Sequence, residues 1–265
     1  MVDAVKSPEN VMFLQESAAR GQPAERVDDV GGWWLRFSPD CSWWVGAVLP
    51  HGGAGVDDVT RRVVEAEEFY AVHGSIPRFQ VTPRVCAEEL DAVLGARGYL
   101  RHSSVSLQVA DTSRVLERAR RLHVRLDERP TRTWFATWQA VNGDSRAEWD
   151  MLARVDLPSA YASAMVGDEV VAVGRAVADR GWAGIFSMAT LPRARGKGSA
   201  RNVLATLADW AAGNGADRMY LQVERDNGPA TRLYERAGFT EICAYHYRIP
   251  NSARERARLC ELPGR

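Results

Sequence analysis

The sequence has no excess of charge of one sign, because 34 Lys plus Arg balance 34 Asp plus Glu over 265 residues. A neutral chain gives no electrostatic signal for nucleic acid or for an anionic membrane as a partner. It also lacks an apolar run of about 18 residues, the length that a membrane-spanning helix requires. Its first ten residues show no basic segment followed by an apolar one. These absences predict a cytoplasmic protein that binds neither nucleic acid nor membrane.

The sequence contains few cysteines, and those it has lie far apart. They form no CxxC pair and no cluster with histidine, the patterns by which zinc sites and redox motifs are recognised. We therefore expect reduced thiols here, with neither a disulfide framework nor a metal cofactor. The cysteines are Cys41, Cys86, Cys243 and Cys260.

Hydrophobic residues make up 46% of the sequence and charged residues 26%, proportions that are ordinary for a globular protein with a substantial core. The length allows one large domain or two small ones. Several tryptophans lie close together near the N-terminus. They either pack in the core or form one wall of a binding cleft. These tryptophans are Trp33, Trp34, Trp43 and Trp44.

The C-terminal half shows a regular succession of elements, recognised from apolar periodicity and from glycine and proline positions. In order, the predictions are a strand over 183–191, a glycine turn over 195–200, a helix over 200–213, a strand over 218–223 and a short helix from Asn227 to Gly238. Elsewhere the patterns predict helices near 8–20 and over 56–73, 87–97, 131–141 and 145–155. Strands are predicted over 31–37, 43–49, 77–81, 103–109, 123–128 and 243–249, with a hairpin over 160–166 and 169–177.

The glycine turn over 195–200 lies between a predicted strand and a predicted helix. Backbone N–H groups at the start of a helix are unpaired and lie at the positive end of its dipole, which favours a phosphate or pyrophosphate. A Walker A motif is excluded because Gly198, rather than serine or threonine, follows Lys197. Basic residues would add positive charge at this position. They are Arg193, Arg195, Lys197 and Arg201.

The first half of the chain repeats part of the second. A shift of 142 positions places Val48-Leu49-Pro50 on Thr190-Leu191-Pro192 and Phe79-Gln80-Val81 on Leu221-Gln222-Val223. Such a repeat suggests two copies of one α/β unit, although chance similarity between two α/β stretches is the alternative. In the first copy Asp57 follows the glycine turn, where a carboxylate would repel a phosphate. We therefore interpret the first copy as degenerate and structural.

Residues 122–249 resemble the GCN5-related N-acetyltransferases, and the resemblance covers about half of the chain. The motifs that carry it are Ala189-Thr190-Leu191-Pro192, Arg195-Gly196-Lys197-Gly198-Ser199-Ala200, Leu221-Gln222-Val223, Asn227-Gly228-Pro229-Ala230, Leu233-Tyr234, Gly238-Phe239 and Tyr247-Arg248. The resemblance implies an α/β (α+β) fold of two such units, each with a mixed, mostly antiparallel sheet flanked by helices. The degenerate unit is expected over 1–115, and the acetyl-CoA-binding unit with a short polar tail over 116–265.

The resemblance further implies acetyl-CoA as the acyl donor. Its pyrophosphate is expected on the backbone N–H groups of the glycine turn, and its pantetheine along the preceding strand as an additional strand. Asn227 and Ala230, where the last helix begins, are expected to contact the cofactor as well. The expected cofactor-binding residues are Met188, Ala189, Thr190, Arg195, Gly196, Lys197, Gly198, Ser199, Ala200, Arg201, Asn227, Ala230 and Tyr234.

Tyr234 is the expected general acid, because a phenol can give the departing thiolate a proton or a hydrogen bond. A backbone N–H near Met188 or Ala189 is expected to stabilise the developing oxyanion. The general base is open, since the strand Ile185-Phe186-Ser187-Met188 has no carboxylate where family members often carry a glutamate. Glu224 and His246 are candidates, and orientation of a water by Ser187 is a further alternative. A substrate amine that arrives deprotonated needs no base.

These expectations describe a tandem N-acetyltransferase that transfers an acetyl group to the primary amine of a small molecule, such as an amino acid, amino sugar, polyamine or antibiotic. Two alternatives are a protein or peptide N-acetyltransferase and a non-catalytic acyl-CoA sensor. A mycothiol-synthase-like activity is a narrower option, because that enzyme is also a tandem member. A monomer or a homodimer fits the sequence equally well.

Overall fold

The computed structural model describes residues 5–52, 56–117, 124–143 and 145–251. The helices are α1 Pro8–Gly21, α2 Val56–Val72, α3 Leu90–Ala96, α4 Thr112–Glu117, α5 Arg132–Asn142, α6 Arg146–Ala153, α7 Ser199–Gly213 and α8 Gly228–Ala237. The strands are β1 Arg26–Val30, β2 Trp33–Phe37, β3 Leu49–Pro50, β4 Phe79–Val81, β5 Tyr99–Asp111, β6 Val124–Asp127, β7 Ser159–Val166, β8 Glu169–Asp179, β9 Trp182–Thr190, β10 Arg218–Glu224 and β11 Thr240–Pro250.

The chain forms two compact units, each assembled from separate segments. Within the described residues, the first unit is drawn from Met1–Ser106, Arg146–Met151 and Ile242–Leu262. The second is drawn from Leu107–Ser145 and Leu152–Glu241. The division predicted after residue 115 treats each unit as one continuous stretch, and it stays a prediction. The segments of the two units alternate along the sequence, because the closing strand β11 pairs with β4 of the first half.

The second unit is built on the strand order β5-β10-β9-β8-β7-β6. Only β9 and β10 run parallel among its strands of known register. Helix α7 packs on one face of this sheet through Val203, Leu204 and Leu207. Alternate positions of a strand point to the same face of the sheet. At the positions beneath α7, β7 carries alanine, a small residue. The alanines beneath α7 include Ala160, Ala162, Ala164, Ala172 and Ala176.

The first unit contains a three-stranded sheet, β1-β2-β3, and the strand order β4-β11-β5. Its core forms around Trp33, which is 1% exposed and packs edge-on against Phe79 at a centroid distance of 6.2 Å. Helix α2 contributes Val59, Val63 and Tyr70 to the same core. Trp33 is therefore a core residue, which confirms the packing interpretation for this tryptophan.

Most predicted elements are confirmed with small changes at their ends, including α1, α2, α7, α8 and the β7–β8 hairpin. Val48 forms an isolated β-bridge and Leu49 begins β3, but the strand predicted over 43–49 is wrong for residues 43–47. Its carbonyl groups accept hydrogen bonds from side chains instead: the Arg36 Nε donates to Ala47 at 2.9 Å and the Tyr70 hydroxyl to Gly46 at 2.8 Å. Strand β1 was missed because its sequence, RVDDV, is largely charged. The polar tail predicted beyond residue 251 lies outside the described residues.

Two further observations concern the described ranges only. None of their helices is both long enough and apolar enough to cross a membrane. They also hold no group of three or more His, Cys, Asp or Glu placed to bind a metal ion. The cysteines within them, Cys41, Cys86 and Cys243, are free thiols.

Candidate functional site

Strands β9 and β10 part in the middle of the second unit. Their parallel register runs from Trp182 with Arg218 to Ile185 with Leu221. Strand β9 then continues to Thr190 and β10 to Glu224, in the direction of their carboxyl ends. Main-chain groups along such an opening are the acceptors and donors that an extended ligand uses when it adds to a sheet.

A bulge in β9 lies at this opening. On its other side β9 pairs with β8, and the register shifts so that Arg175 faces Phe186 whereas Val173 faces Ala189. Two residues of β9 therefore lie opposite Gly174 alone, and Ser187, one of the two, has a left-handed φ of 53°. A Cβ at Gly174 would overlap the sulfur of Met188. A bulge leaves one residue outside the ladder and redirects its groups, which is why bulges occur often at functional sites.

Helix α7 begins just beyond the end of β9, and its N-terminus is open to an anion. Its N-cap is Gly198, in the left-handed conformation with no side-chain capping bond, and its first turn has no acidic residue. Gly196 also has a positive φ of 74°, and a Cβ there would meet nothing within 4 Å. Lys197 and Arg201 are exposed. The glycines and uncapped N–H groups fit a pyrophosphate, as expected for this turn.

Two of the basic residues near this turn have partners within the second unit. Arg193 forms an ion pair with Glu169. Arg195 donates from Nε to the carbonyl oxygen of Thr190 at 3.3 Å. Lys197 and Arg201 are thus the better candidates for charge directed at a bound phosphate.

Asn202, in the first turns of α7, is a further candidate residue that the sequence reasoning missed. Its side chain is 6% exposed, and its Oδ1 has no hydrogen-bond partner among the described residues. A buried acceptor of this kind is usually satisfied by a water or a ligand, so Asn202 fits a donor group such as a pantetheine amide. The signal in the sequence was a polar residue beside Val203 and Leu204, on the apolar side of the helix.

Helix α8 carries the other predicted cofactor contacts. Asn227 caps the helix, because its Oδ1 accepts from the backbone N–H of Ala230 at 3.2 Å. Asn227 and Ala230, which are predicted to contact the cofactor, therefore use the Asn227 Oδ1 and the Ala230 N–H in this cap. The side-chain NH2 group of Asn227 remains as a donor. Tyr234 follows on the buried face of α8, at 7% exposure, with its ring 5.9 Å from that of Phe239.

The electrostatics of Tyr234 suit a proton donor. Burial raises the pKa of Tyr234 to about 12. The phenol therefore keeps its proton throughout the neutral range. A group in this state can protonate or hydrogen-bond a thiolate.

Comparison with known families matches residues 123–239 to the family described as "Acetyltransferase (GNAT) family". The segment 123–239 is thus similar to GNAT acetyltransferases. The matched range contains the parted strands, the β9 bulge, the α7 N-terminus and Tyr234.

Individual relatives extend this GNAT match over most of the chain. The uncharacterised N-acetyltransferase YobR of Bacillus subtilis is 25% identical over 253 residues, which is 91% of this chain and 99% of that protein. A GCN5-related N-acetyltransferase from Kribbella flavida has a TM-score of 0.72 at 16% identity, covering 95% of this chain and 98% of that one. A tandem GNAT protein from the clavulanic acid biosynthesis pathway has a TM-score of 0.60 at 12% identity, covering 90% and 86%. At these identities the solved structures show a shared fold.

The first unit has a short parallel strand pairing of its own. Val48 and Phe79 form a parallel bridge that resembles the β9–β10 pair. Just beyond it the Gln15 amide of α1 donates to Thr82 Oγ1 at 2.8 Å, and its Oε1 lies 3.2 Å from His51 Nε2. Asp58, in the first turn of α2, pairs with Arg62 at 2.8 Å. The interpretation of the first unit as a degenerate copy stays a prediction.

The candidate bases lie in different surroundings. Glu224 is exposed at the end of β10, in the second unit. His246 belongs to the first unit, where it faces Val81 across β4 and is 5% exposed. Its Nε2 lies 2.7 Å from Asp91 Oδ1, and Arg248 donates to both oxygens of the same carboxylate. These bonds give His246 a place in the packing of the first unit, and its role as a base stays a prediction.

Asp91 should stabilise the first unit, with a pH dependence that follows from its pKa. Hydrogen bonds from Arg248 and His246 outweigh the opposing effect of burial and lower the pKa of Asp91 from 3.8 to about 2. A lowered carboxylate pKa stabilises the fold above its unfolded value, and the stabilisation disappears as pH falls through the folded value. We expect D91N to lower the free energy of unfolding by about 1–2 kcal/mol at pH 7, since Asp91 is partly exposed.

Urea denaturation of wild type and D91N between pH 2 and pH 7 measures this difference. The difference should be constant above about pH 5 and should shrink toward zero near pH 2. The control is E88Q, which removes an exposed carboxylate just before α3. An equal loss in E88Q, or a D91N loss that does not change with pH, would contradict the assignment.

Proposed function

We propose that this protein is an acetyl-CoA-dependent N-acetyltransferase whose second unit acetylates the primary amine of a small molecule. The observation that carries the proposal is the combination of parted parallel strands, a bulge in β9 and an uncapped glycine start of α7. The opening and the anion cradle follow each other along the chain, which matches an extended donor with a pyrophosphate at one end.

The donor is assigned to named residues on physical grounds. The pyrophosphate takes the backbone N–H groups of residues 195–201, with Lys197 and Arg201 as counter-charges. The pantetheine follows Met188–Thr190 as an added strand, and the buried Oδ1 of Asn202 accepts from one of its N–H groups. The thioester then lies where β9 and β10 part.

The proposed reaction is direct transfer. The lone pair of a neutral amine attacks the thioester carbonyl, and the C–S bond breaks as the tetrahedral intermediate collapses. A backbone N–H at the β9 bulge stabilises the oxyanion, and Tyr234 donates its proton to the departing thiolate. The attacking nitrogen becomes positively charged as the C–N bond forms and then loses one proton, to solvent or to Glu224 through water. Tyr234 regains its proton from solvent, so the number of protons balances. Neither route requires a carboxylate on 185–188.

A small amine is the favoured acceptor because the neutral chain presents no net field for a charged macromolecule. The second candidate is a non-catalytic acyl-CoA sensor, and the specific observation in its favour is the absence of a carboxylate on the strand segment 185–188. The two functions differ in turnover, since a sensor binds acetyl-CoA without releasing CoA.

The test combines calorimetry with an acceptor screen. Titration with acetyl-CoA measures binding, and a library of amino acids, amino sugars, polyamines and peptides is then screened for release of free CoA. Acceptor-dependent CoA release from a small amine supports the proposal. Release with peptides only would favour a peptide N-acetyltransferase, and tight acetyl-CoA binding without release from any acceptor would favour the sensor.

A further inference from the structure

Strand β8 of the second unit carries a fully buried arginine that the reaction described above does not use. Arg175 is 0% exposed. A guanidinium keeps its proton even when buried, because its pKa lies far above neutrality. Removing such a cation from water is costly, so its position requires an explanation in terms of what surrounds it.

The guanidinium lies among side chains of the neighbouring strands. Its Nε donates to Ser187 Oγ at 3.4 Å, and its Cζ lies 4.7 Å from the centre of the Phe186 ring. Burial raises the pKa of Tyr161, its cross-strand partner on β7, and the positive charge of Arg175 opposes that rise. Phe186 and Ser187 are the residues at which the β9 bulge begins.

Side chains from elsewhere in the second unit form hydrogen bonds to the bulge on both strands, β9 and β8. Arg175 reaches the hydroxyl of Ser187, whose left-handed φ of 53° is uncommon for a residue other than glycine. On the opposing strand, the indole N–H of Trp134 donates to the carbonyl oxygen of Gly174 at 3.2 Å. Backbone conformations of this kind persist only when the surroundings hold them in place.

We infer that Arg175 is a positioning residue for acyl transfer: it holds Ser187 in the conformation that makes the β9 bulge and places a buried positive charge beneath the proposed thioester position. The inference rests on the proposed function. A fixed cation in surroundings of low dielectric stabilises negative charge that develops nearby, and it needs no reorganisation during the reaction.

The competing explanation is that Arg175 only fills the core. A neutral side chain of similar length would then serve equally well once the protein had folded. The polarisation of the bound thioester carbonyl distinguishes the two explanations, because correct folding alone does not change it. Isotope-edited infrared spectroscopy of [1-13C]acetyl-CoA measures its stretching frequency and requires binding but no acceptor.

The principal variants are R175M, which removes the charge, and R175K, which retains it without the Nε contact. We expect R175M to lower kcat on the order of 100-fold, with the Kd of acetyl-CoA within about threefold of wild type, as for loss of an oxyanion-stabilising group. The kcat of R175K should lie between those of wild type and R175M. The carbonyl band of bound acetyl-CoA should move in R175M toward its position in solution.

R36M is the matched control. Arg36 is a buried arginine of the first unit, and its guanidinium donates to the carbonyl oxygens of Ala47 and Trp44. R36M should lose stability without a change in the carbonyl band. A folded R175M with the wild-type kcat and the wild-type band would overturn the inference.

Ser187 provides a second pair of variants that leave Arg175 in place, in case R175M does not fold. Glycine adopts a positive φ readily and alanine does not, so S187A should lose more kcat than S187G. Equal values in the two variants would overturn the positioning role. Acetyl-CoA binding without turnover in wild type would reject the proposed function, and the carbonyl band would still decide the inference. No binding at all would overturn both.

Discussion

G196D should weaken acetyl-CoA binding on the order of 100-fold, which corresponds to about 2.8 kcal/mol. Gly196 lies in the turn before α7 with a φ of 74° and with open space where a Cβ would be. An aspartate tolerates this region of φ better than most residues, so the fold should accept it. Its carboxylate would then face the pyrophosphate at the uncapped N-terminus of α7, where the helix dipole otherwise favours an anion.

Gly215 supplies the matched control at the other end of the same helix. It has a φ of 72°, and a Cβ there would also meet nothing within 4 Å. G215D therefore introduces the same charge and a similar backbone cost, away from the proposed cradle. Isothermal titration should show an acetyl-CoA Kd within about twofold of wild type for G215D. Equal affinities for G196D and G215D would show that the pyrophosphate does not bind at this turn.

Y234F should lower kcat about 100-fold, at the lower end of the range for general acid–base catalysis. The variant removes one hydroxyl and keeps the ring that packs against Phe239. The Kd of acetyl-CoA should change little, because the lost hydroxyl is proposed to act on the leaving thiolate. Stopped-flow detection of free CoA with the acceptor from the screen measures the effect.

The pH dependence gives a second readout for Tyr234. Burial raises the pKa of Tyr234 to about 12, so the phenol stays protonated and the wild-type kcat should not fall from its ionisation below about pH 10. Y220F is the control, since it removes the hydroxyl of another buried tyrosine of the second unit. If Y234F, Y220F and the wild type all have the same kcat, Tyr234 is not the general acid.

The C-terminal motifs were sufficient to predict the similarity of residues 123–239 to acetyltransferases and the local structure of the candidate donor site. Gly196 and Gly198 have the positive φ values that a tight turn before a helix requires. Asn227 caps α8, and Gly238 ends it in the left-handed conformation. These features depend on neighbours a few residues away, and short-range backbone preferences are therefore enough to predict them.

Other features depend on partners far away in sequence. The segment 43–47 contains tryptophan and valine, which favour a strand, yet side chains of Arg36 and Tyr70 take its carbonyl groups. The sequence offered His246 as a candidate base, but its ring lies within hydrogen-bonding distance of Asp91, 155 positions earlier. Local propensity cannot anticipate such contacts, because tertiary interactions override it.

The sequence alone determined the similarity to acetyltransferases, the element order of the second unit and the turn at the start of α7, because these follow from local glycine, proline and apolar spacing. Only the tertiary structure decided where β9 and β10 part and that Arg175 lies buried beneath the bulge at Ser187. It also decided that Asn202 is a buried acceptor. Register, burial and hydrogen bonding are set by strands that meet across the sheet, and one strand's own residues do not specify them.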